Sequence, residues 1–166
     1  MKNALFPTPD QLEPLPILYQ GIVPAEYLDV MGHMNVRHYL SLFDEAAWDF
    51  FVGFGMDQAY YESGQGGAFA LQHFINYRAE VHHNDELTIR GRILGRSIKR
   101  VHFMLFIVNE TQGKLAATLE SLGSHADLIQ RRTSPFPATI ADNIDTILAQ
   151  HTQLNWQAPV CGVIIP

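Results

Sequence analysis

Between residues 36 and 54, apolar side chains recur at three- and four-residue steps: Val36, Tyr39, Leu40, Phe43, Ala46, Ala47, Phe50, Phe51 and Phe54. That spacing predicts a helix. Asn35 stands where an N-cap belongs, its side-chain oxygen available to a first-turn N–H, and Gly53 and Gly55 mark the stop. The polar arc of this helix (Arg37, His38, Ser41, Asp44, Glu45, Asp49) is interrupted by Trp48 and Val52. A helix so nearly apolar all round must be buried on more than one side. At roughly 1.5 Å per residue it runs about 28 Å, the width of a small domain. Other elements must wrap it.

Around this helix the pattern is mostly of period two. Ile17–Val23 reads as a strand stopped by Pro24, and Met56–Ser63 as a short further helix. Gly64, Gly66 and Gly67 read as a flexible link; they lack the Gly-Lys-Ser/Thr ending of a phosphate loop. Leu71, His73, Ile75, Tyr77, Ala79 and Val81 then alternate with polar or outward-facing positions, and His82–Asp85 reads as a turn. Leu87–Ile93 alternates again, Val101–Val108 is apolar on both faces as a central strand would be, and Leu115–Leu128 is long enough to need a bend, assigned to Gly123. Short connections make an antiparallel meander the natural topology for these four strands. Pro135 and Pro137 introduce a last helix, Ala138 to about Gln150. Four prolines in residues 1–16 predict an extended surface arm, and the tail, residues 152–166, ends in an apolar run expected to pack on the body or on a partner. We therefore expect one domain over residues 1–166, of α+β class, with an antiparallel β-sheet wrapped around one long central α-helix.

Composition narrows the classes. A hydrophobic fraction of 47% with only 17% charged residues excludes a disordered chain, and so little charge suggests surface lost to self-association. The net charge of −6 argues against nucleic acid as a partner. The one cysteine, Cys161, allows no internal disulfide and reads as a buried thiol in a reducing, cytoplasmic setting. No apolar run approaches a membrane span and no targeting pattern is visible.

The chemistry-bearing stretch is Tyr27 to Asn35, where a lone carboxylate, Asp29, precedes the predicted helix. The pattern Asp29-x-x-Gly32-His33-x-Asn35-x-x-x-Tyr39, followed by Phe43 and Ala46, resembles the signature of the hotdog-fold acyl-CoA thioesterases, in particular the 4-hydroxybenzoyl-CoA thioesterase-like group. Looser similarity, through Lys99–His102, Leu115–Thr118 and Arg131–Pro137, links the chain to small thioesterases of carnitine and betaine breakdown. The resemblance implies a hotdog fold and hydrolysis of an acyl-CoA thioester, with coenzyme A entering as part of the substrate and no separate cofactor. It also implies a homodimer, or a tetramer built from two, with sites at the subunit interface.

By the same resemblance Asp29 is the catalytic carboxylate, as nucleophile or as base on water, and the backbone N–H of Val36 polarises the thioester carbonyl. Gly32, His33 and Asn35 shape and position this loop, although the 4-hydroxybenzoyl-CoA enzyme type has apolar or aromatic residues in place of His33 and Asn35. Another branch carries its carboxylate on the central helix, which makes Glu45 the backup. Such chemistry needs an activated oxygen, donors for the developing oxyanion and a slot for the acyl group. Tyr39, with His73 and His102 on separate strands, is expected to line that slot, joined by His125 if the strands curl. Of the 11 basic residues, Arg90, Arg92, Arg96, Lys99, Arg100, Arg131 and Arg132 fall close together, and Arg92, Arg96, Lys99 and Arg100 are the expected contacts for coenzyme A phosphates. No metal-ligand spacing and no Gly-x-Ser-x-Gly elbow is present. The rival functions are a hotdog hydratase or dehydratase and an acyl-CoA-binding domain without catalysis.

Overall fold

The computed structural model describes residues 6–166. A short helix α1 (Pro9–Leu12) precedes strand β1 (Ile17–Ile22), and a 3₁₀ turn (Ala25–Tyr27) leads through a loop to the long helix α2 (Val36–Val52). Then come α3 (Gln58–Glu62), β2 (Gly66–Tyr77), β3 (Glu86–Arg96), β4 (Arg100–Asn109), β5 (Lys114–Asp127), the two-residue β6 (Arg132–Thr133) and α4 (Ala138–His151). All pairings are antiparallel, in the order β1-β3-β4-β5-β2, with β6 added to β5. The sheet wraps α2, whose Phe43, Ala46 and Phe50, with Phe54 just beyond its end, pack on Ile89, Ile93, Phe103, Leu105 and Leu119. This is the expected hotdog arrangement. Among the described residues, no helix is long and apolar enough to cross a membrane.

The four strands do not form one continuous meander. β2 pairs with β5 and not with its sequence neighbour β3. The segment after Tyr77 crosses instead toward β1, where the backbone of Val23 exchanges hydrogen bonds with Asn84 and Asp85 (2.9 Å each). On the way, the Val81 carbonyl accepts the Met34 N–H (2.7 Å), so the crossover also holds the loop ahead of α2. The buried Asp85 carboxylate fixes its far end, accepting from the His82 N–H and the amides of Asn109 and Gln112. Burial alone would raise its pKa, but these bonds and nearby His82 outweigh that and hold it below the usual carboxylate range.

Two further expectations are corrected. Gly66 and Gly67 are not a flexible link: they are the first, buried residues of β2. A Cβ on Gly66 would run into the Tyr60 ring, and one on Gly67 would lie 3.0 Å from Leu128 Cδ2. The bend assigned to Gly123 is carried by its neighbour strand, where the register shifts between Ala70 and Gln72.

The amino-terminal segment is likewise not an extended arm in its described part. Pro9 starts α1, the Thr8 N–H bonds Gln11 Oε1 (2.9 Å), and buried Leu12 and Leu15 pack with Met104, Phe106 and Val108 on the outer face of the sheet. Leu154 and Trp156 of the tail cover the same patch. Residues 1–5 of the expected arm lie outside the described residues. The apolar flank of α2 is not fully covered within this chain: Val36, Leu40, Trp48 and Val52 stay exposed, as do Leu71, Phe74 and Tyr77 of the edge strand β2.

Candidate active site

The loop between the 3₁₀ turn and α2 is tightly folded. Leu28 and Met34 form a lone antiparallel bridge, the Asp29 N–H bonds the His33 carbonyl (3.0 Å), and the Gly32 N–H bonds the Asp29 carbonyl (3.0 Å). Gly32 turns the chain at φ +84°, a conformation that disfavours any side chain. The Asn35 N–H is held by the Tyr27 carbonyl (2.9 Å), and Tyr27 stacks on His38 at 4.0 Å. Asp29 therefore occupies a fixed position, largely shielded from solvent. Its Oδ1 accepts the Met31 N–H (2.8 Å), while Oδ2 lies 3.8 Å from His33 Nδ1, within ion-pair range and beyond a hydrogen bond. One carboxylate oxygen thus braces its own turn, and the other is left for chemistry.

Asn35 caps α2 as its place in the sequence predicts, with Oδ1 accepting the Arg37 N–H (3.2 Å) while its carbonyl takes the His38 N–H (3.0 Å). Among the described residues the Val36 N–H has no partner, and it sits at the positive end of the helix. Asp29, His33, Asn35, Val36 and Tyr39 share the wall of one cavity of about 500 Å³. Tyr39 is buried at its floor, edge-on to Tyr77 at 5.0 Å; burial, with Tyr77 and Glu80 nearby, pushes its phenol up to about 12. It stays neutral. The opposite wall is Tyr77, Arg78, Ala79 and Glu80, supplied by the end of β2 and the start of the crossover. Arg78, whose guanidinium lies 4.1 Å from the Phe6 ring centre, is among the described residues the one arginine or lysine lining this cavity. These wall residues carry no local signal, because only the crossover brings them to the loop. A carboxylate, a free amide N–H at a helix start and a mouth for a substrate are what acyl transfer to water requires.

The three strand histidines do not converge. His73 pairs across with Ser121, and His102 with Leu122; adjacent residues of one strand point to opposite faces. His102 consequently lies on the outer face, bonded to buried Glu120 (2.8 Å), whose other oxygen accepts the Cys161 N–H. It lines neither this cavity nor the one beside His73. His125 is engaged further along, with the Tyr60 hydroxyl (2.6 Å) and Ser134. His73 faces a second cavity, of about 480 Å³, between α2 and the β2–β5 pair. Glu45 lines that second cavity as well, so it is separated from the Asp29 loop.

The expected phosphate contacts are dispersed too. Arg92 is buried under the tail, donating to the carbonyls of Trp156 (2.9 Å) and His151 (3.2 Å) with the Trp156 ring 4.2 Å away. Arg96 is paired in two bonds with Asp145, and Lys99 donates to Thr133 (3.1 Å). Arg100 keeps a buried Nε without a partner. These four residues form no common patch.

A family model described as the thioesterase-like superfamily matches residues 23–144. An L-carnitine dehydrogenase/betainyl-CoA thioesterase of Agrobacterium fabrum is 30% identical over 133 residues, covering 80% of this chain and 27% of that protein. The chain thus spans little more than a quarter of that relative's length. A betainyl-CoA thioesterase of Pseudomonas aeruginosa is 24% identical over 136 residues, covering 82% of this chain and 86% of that protein. Among solved structures, a Staphylococcus aureus protein in complex with CoA superposes with a TM-score of 0.81 at 22% identity, over 99% of this chain and 100% of the other.

Proposed function

The chain belongs to the thioesterase-like superfamily, and on that premise we propose that it hydrolyses an acyl-CoA thioester with Asp29 as the catalytic carboxylate. The observation that carries this is the shared cavity: the open Oδ2 of Asp29 and the unpartnered N–H of Val36 face one space at the start of α2. A thioester carbonyl placed there has a donor for its oxygen and an anionic oxygen for attack or for activating water. Water adds to the carbonyl carbon, the C–S bond breaks, the acid is released, and the CoA thiolate takes a proton. One oxyanion donor of this kind contributes on the order of 10²–10³ in rate. His33 stands close enough to Asp29 to orient the water or to pass a proton. Arg78, on the cavity wall, is the cation placed to meet the negative charge of coenzyme A.

The functional unit in this proposal is a homo-oligomer. β2 is an edge strand with unpaired backbone groups, and the exposed Leu71, Phe74 and Tyr77 continue into the uncovered flank of α2 at Leu40 and Trp48. A second copy added along β2 would cover this strip and extend the sheet.

The test is release of free thiol from a panel of acyl-CoA thioesters, with the acid product quantified. Equimolar thiol and acid are expected. Tight binding of the thioesters without thiol release, or addition of water to an enoyl-CoA with the thioester intact, would replace hydrolysis by one of the rival functions.

A further inference from the structure

The arginines of β3 spend their charge on internal bonds, but Arg78 does not. Arg90, Arg92 and Arg96 give guanidinium N–H groups to Glu13, Leu15, Trp156, His151 and Asp145. Arg78 bonds through its backbone, N–H to the Ala116 carbonyl (2.8 Å), while among the described residues its guanidinium has no hydrogen-bond or ion-pair partner. Glu80, the carboxylate nearest along the chain, lies 3.5 Å from His82 Nε2 instead. What holds the guanidinium is the ring of Phe6, whose centre is 4.1 Å away. A contact with a ring face uses none of the five N–H donors.

Phe6 is itself presented on a stiff support. Pro7 is buried, and Pro7 and Pro9 fix φ on either side of Thr8. Behind them, α1 is pinned to the outer face of the sheet by Leu12 and Leu15, by the Trp156 indole N–H to the Gln11 carbonyl (3.1 Å), and by Arg90 to the Glu13 and Leu15 carbonyls. Phe6 does not line the Asp29 cavity. Arg78 therefore bridges the two: it lines the cavity, and its charged head rests on a residue outside it. Phe6 also lies ahead of residues 23–144, the stretch shared with the family model.

Coenzyme A divides in the same way. Its thioester must reach Asp29 inside the cavity, whereas its phosphates lie at the far end of the long pantetheine arm and have to be met outside. Resting on the thioesterase function proposed above, we infer that Phe6 is a positioning residue for coenzyme A. It holds the Arg78 guanidinium at the cavity's rim with its donors free for a phosphate of the nucleotide end. A planar fork fits a phosphate in two parallel bonds, and a fork already ordered by an aromatic face loses less side-chain freedom on binding. Asp29 and Glu80 make the cavity wall acidic, and Arg78 is the permanent cation set against them as the negatively charged ester enters. Phe6 touches neither the substrate nor the reacting atoms and acts only through Arg78.

The experiment measures kcat and KM for one acyl group, whichever the parent cleaves fastest as its CoA ester, carried on coenzyme A and on pantetheine, which has no phosphate. The parent is expected to favour the CoA ester, mainly through KM. Arg78→Ala should shrink that preference by about ten- to hundredfold. Phe6→Leu, which keeps apolar bulk but loses the ring, should shrink it by about two- to fivefold. Phe6→Tyr should retain it, and Phe6→Leu should add nothing in the Arg78→Ala background. A preference unchanged in Arg78→Ala, or lost there but unchanged in Phe6→Leu, overturns the inference and leaves the thioesterase function standing. So does an equal effect of Phe6→Leu in both backgrounds. If no acyl-CoA releases thiol, the proposed function itself fails, and this inference falls with it.

Discussion

Acidification should loosen the closing helix through one residue, His151. It is the last residue of α4, buried against β3, and its Nδ1 accepts the Ile93 N–H at 2.9 Å. β1 pairs no further along β3 than Arg90, so beyond that point this ring and the helix behind it cover the strand. Burial, reinforced by the adjacent Arg92 guanidinium, lowers the His151 pKa from 6.5 to about 4. Protonation would put a second hydrogen between Nδ1 and the Ile93 N–H and end the bond. Between those two pH values the unfolded chain binds a proton that the folded chain excludes. Stability therefore rises with pH through this window, is complete above about 6.5, and falls as pH drops toward 4. At about 1.36 kcal/mol per unit, the loss between pH 7 and pH 4 is about 3 kcal/mol. His38 and His73 are also shifted downward by burial, so the parent's total slope is not the readout. The readout is the difference from His151→Leu, which cannot titrate at this position, in urea unfolding at pH 7, 5.5 and 4. The parent's advantage should shrink by about 3 kcal/mol across the series. Parallel curves for parent and variant would show that the imidazole does not exclude its proton in the fold.

Two further substitutions probe how the site is held. Asn35→Ala removes the α2 cap and should lower unfolding free energy by about 1 kcal/mol, a melting shift of roughly 2–4 °C, with Asn35→Ser recovering most of it; no change in urea midpoint would show that the 3.2 Å bond to Arg37 is not a working cap. Gly91→Ala would place a Cβ 2.6 Å from Leu18 Cδ1, 3.1 Å from Leu105 and 3.2 Å from Phe50, and is expected to cost about 1–3 kcal/mol. Trimming Leu18 to Ala in the same chain should recover part of that cost, and strict additivity of the two changes would refute a steric origin.

What could be read from the chain was local. The α2 period, its Asn35 cap and the Gly53 stop all survive in the fold, because each is written within a few residues. The Asp29 loop was readable only as a motif, since nothing in Asp29-Val-Met-Gly says that one carboxylate oxygen will brace the turn. Alternation tells which residues of a strand share a face but not which strand lies alongside, so a meander puts β2 beside β3 where the fold has β5. The same gap misjudged His102: a register of one residue against β5 decides between the helix side and the outer face. Arg92 and Arg96 looked like a free basic patch because their partners, Trp156, His151 and Asp145, lie some fifty to sixty residues downstream. In α1 a signal was present and outweighed: Thr8-Pro9-x-Gln11 is a helix start, but four nearby prolines suggested an extended chain. The wall supplied by Arg78 depends on the crossover, which no local pattern encodes.

The most direct test of the proposed chemistry is thiol release by Asp29→Asn, measured with its unfolding curve. The amide preserves shape and can still accept the Met31 N–H, so unfolding should match the parent. Turnover of every cleaved acyl-CoA should fall by about 10²–10⁴-fold. Parent-like turnover by Asp29→Asn, with Glu45→Gln inactive, would contradict the assignment and move the catalytic carboxylate to α2.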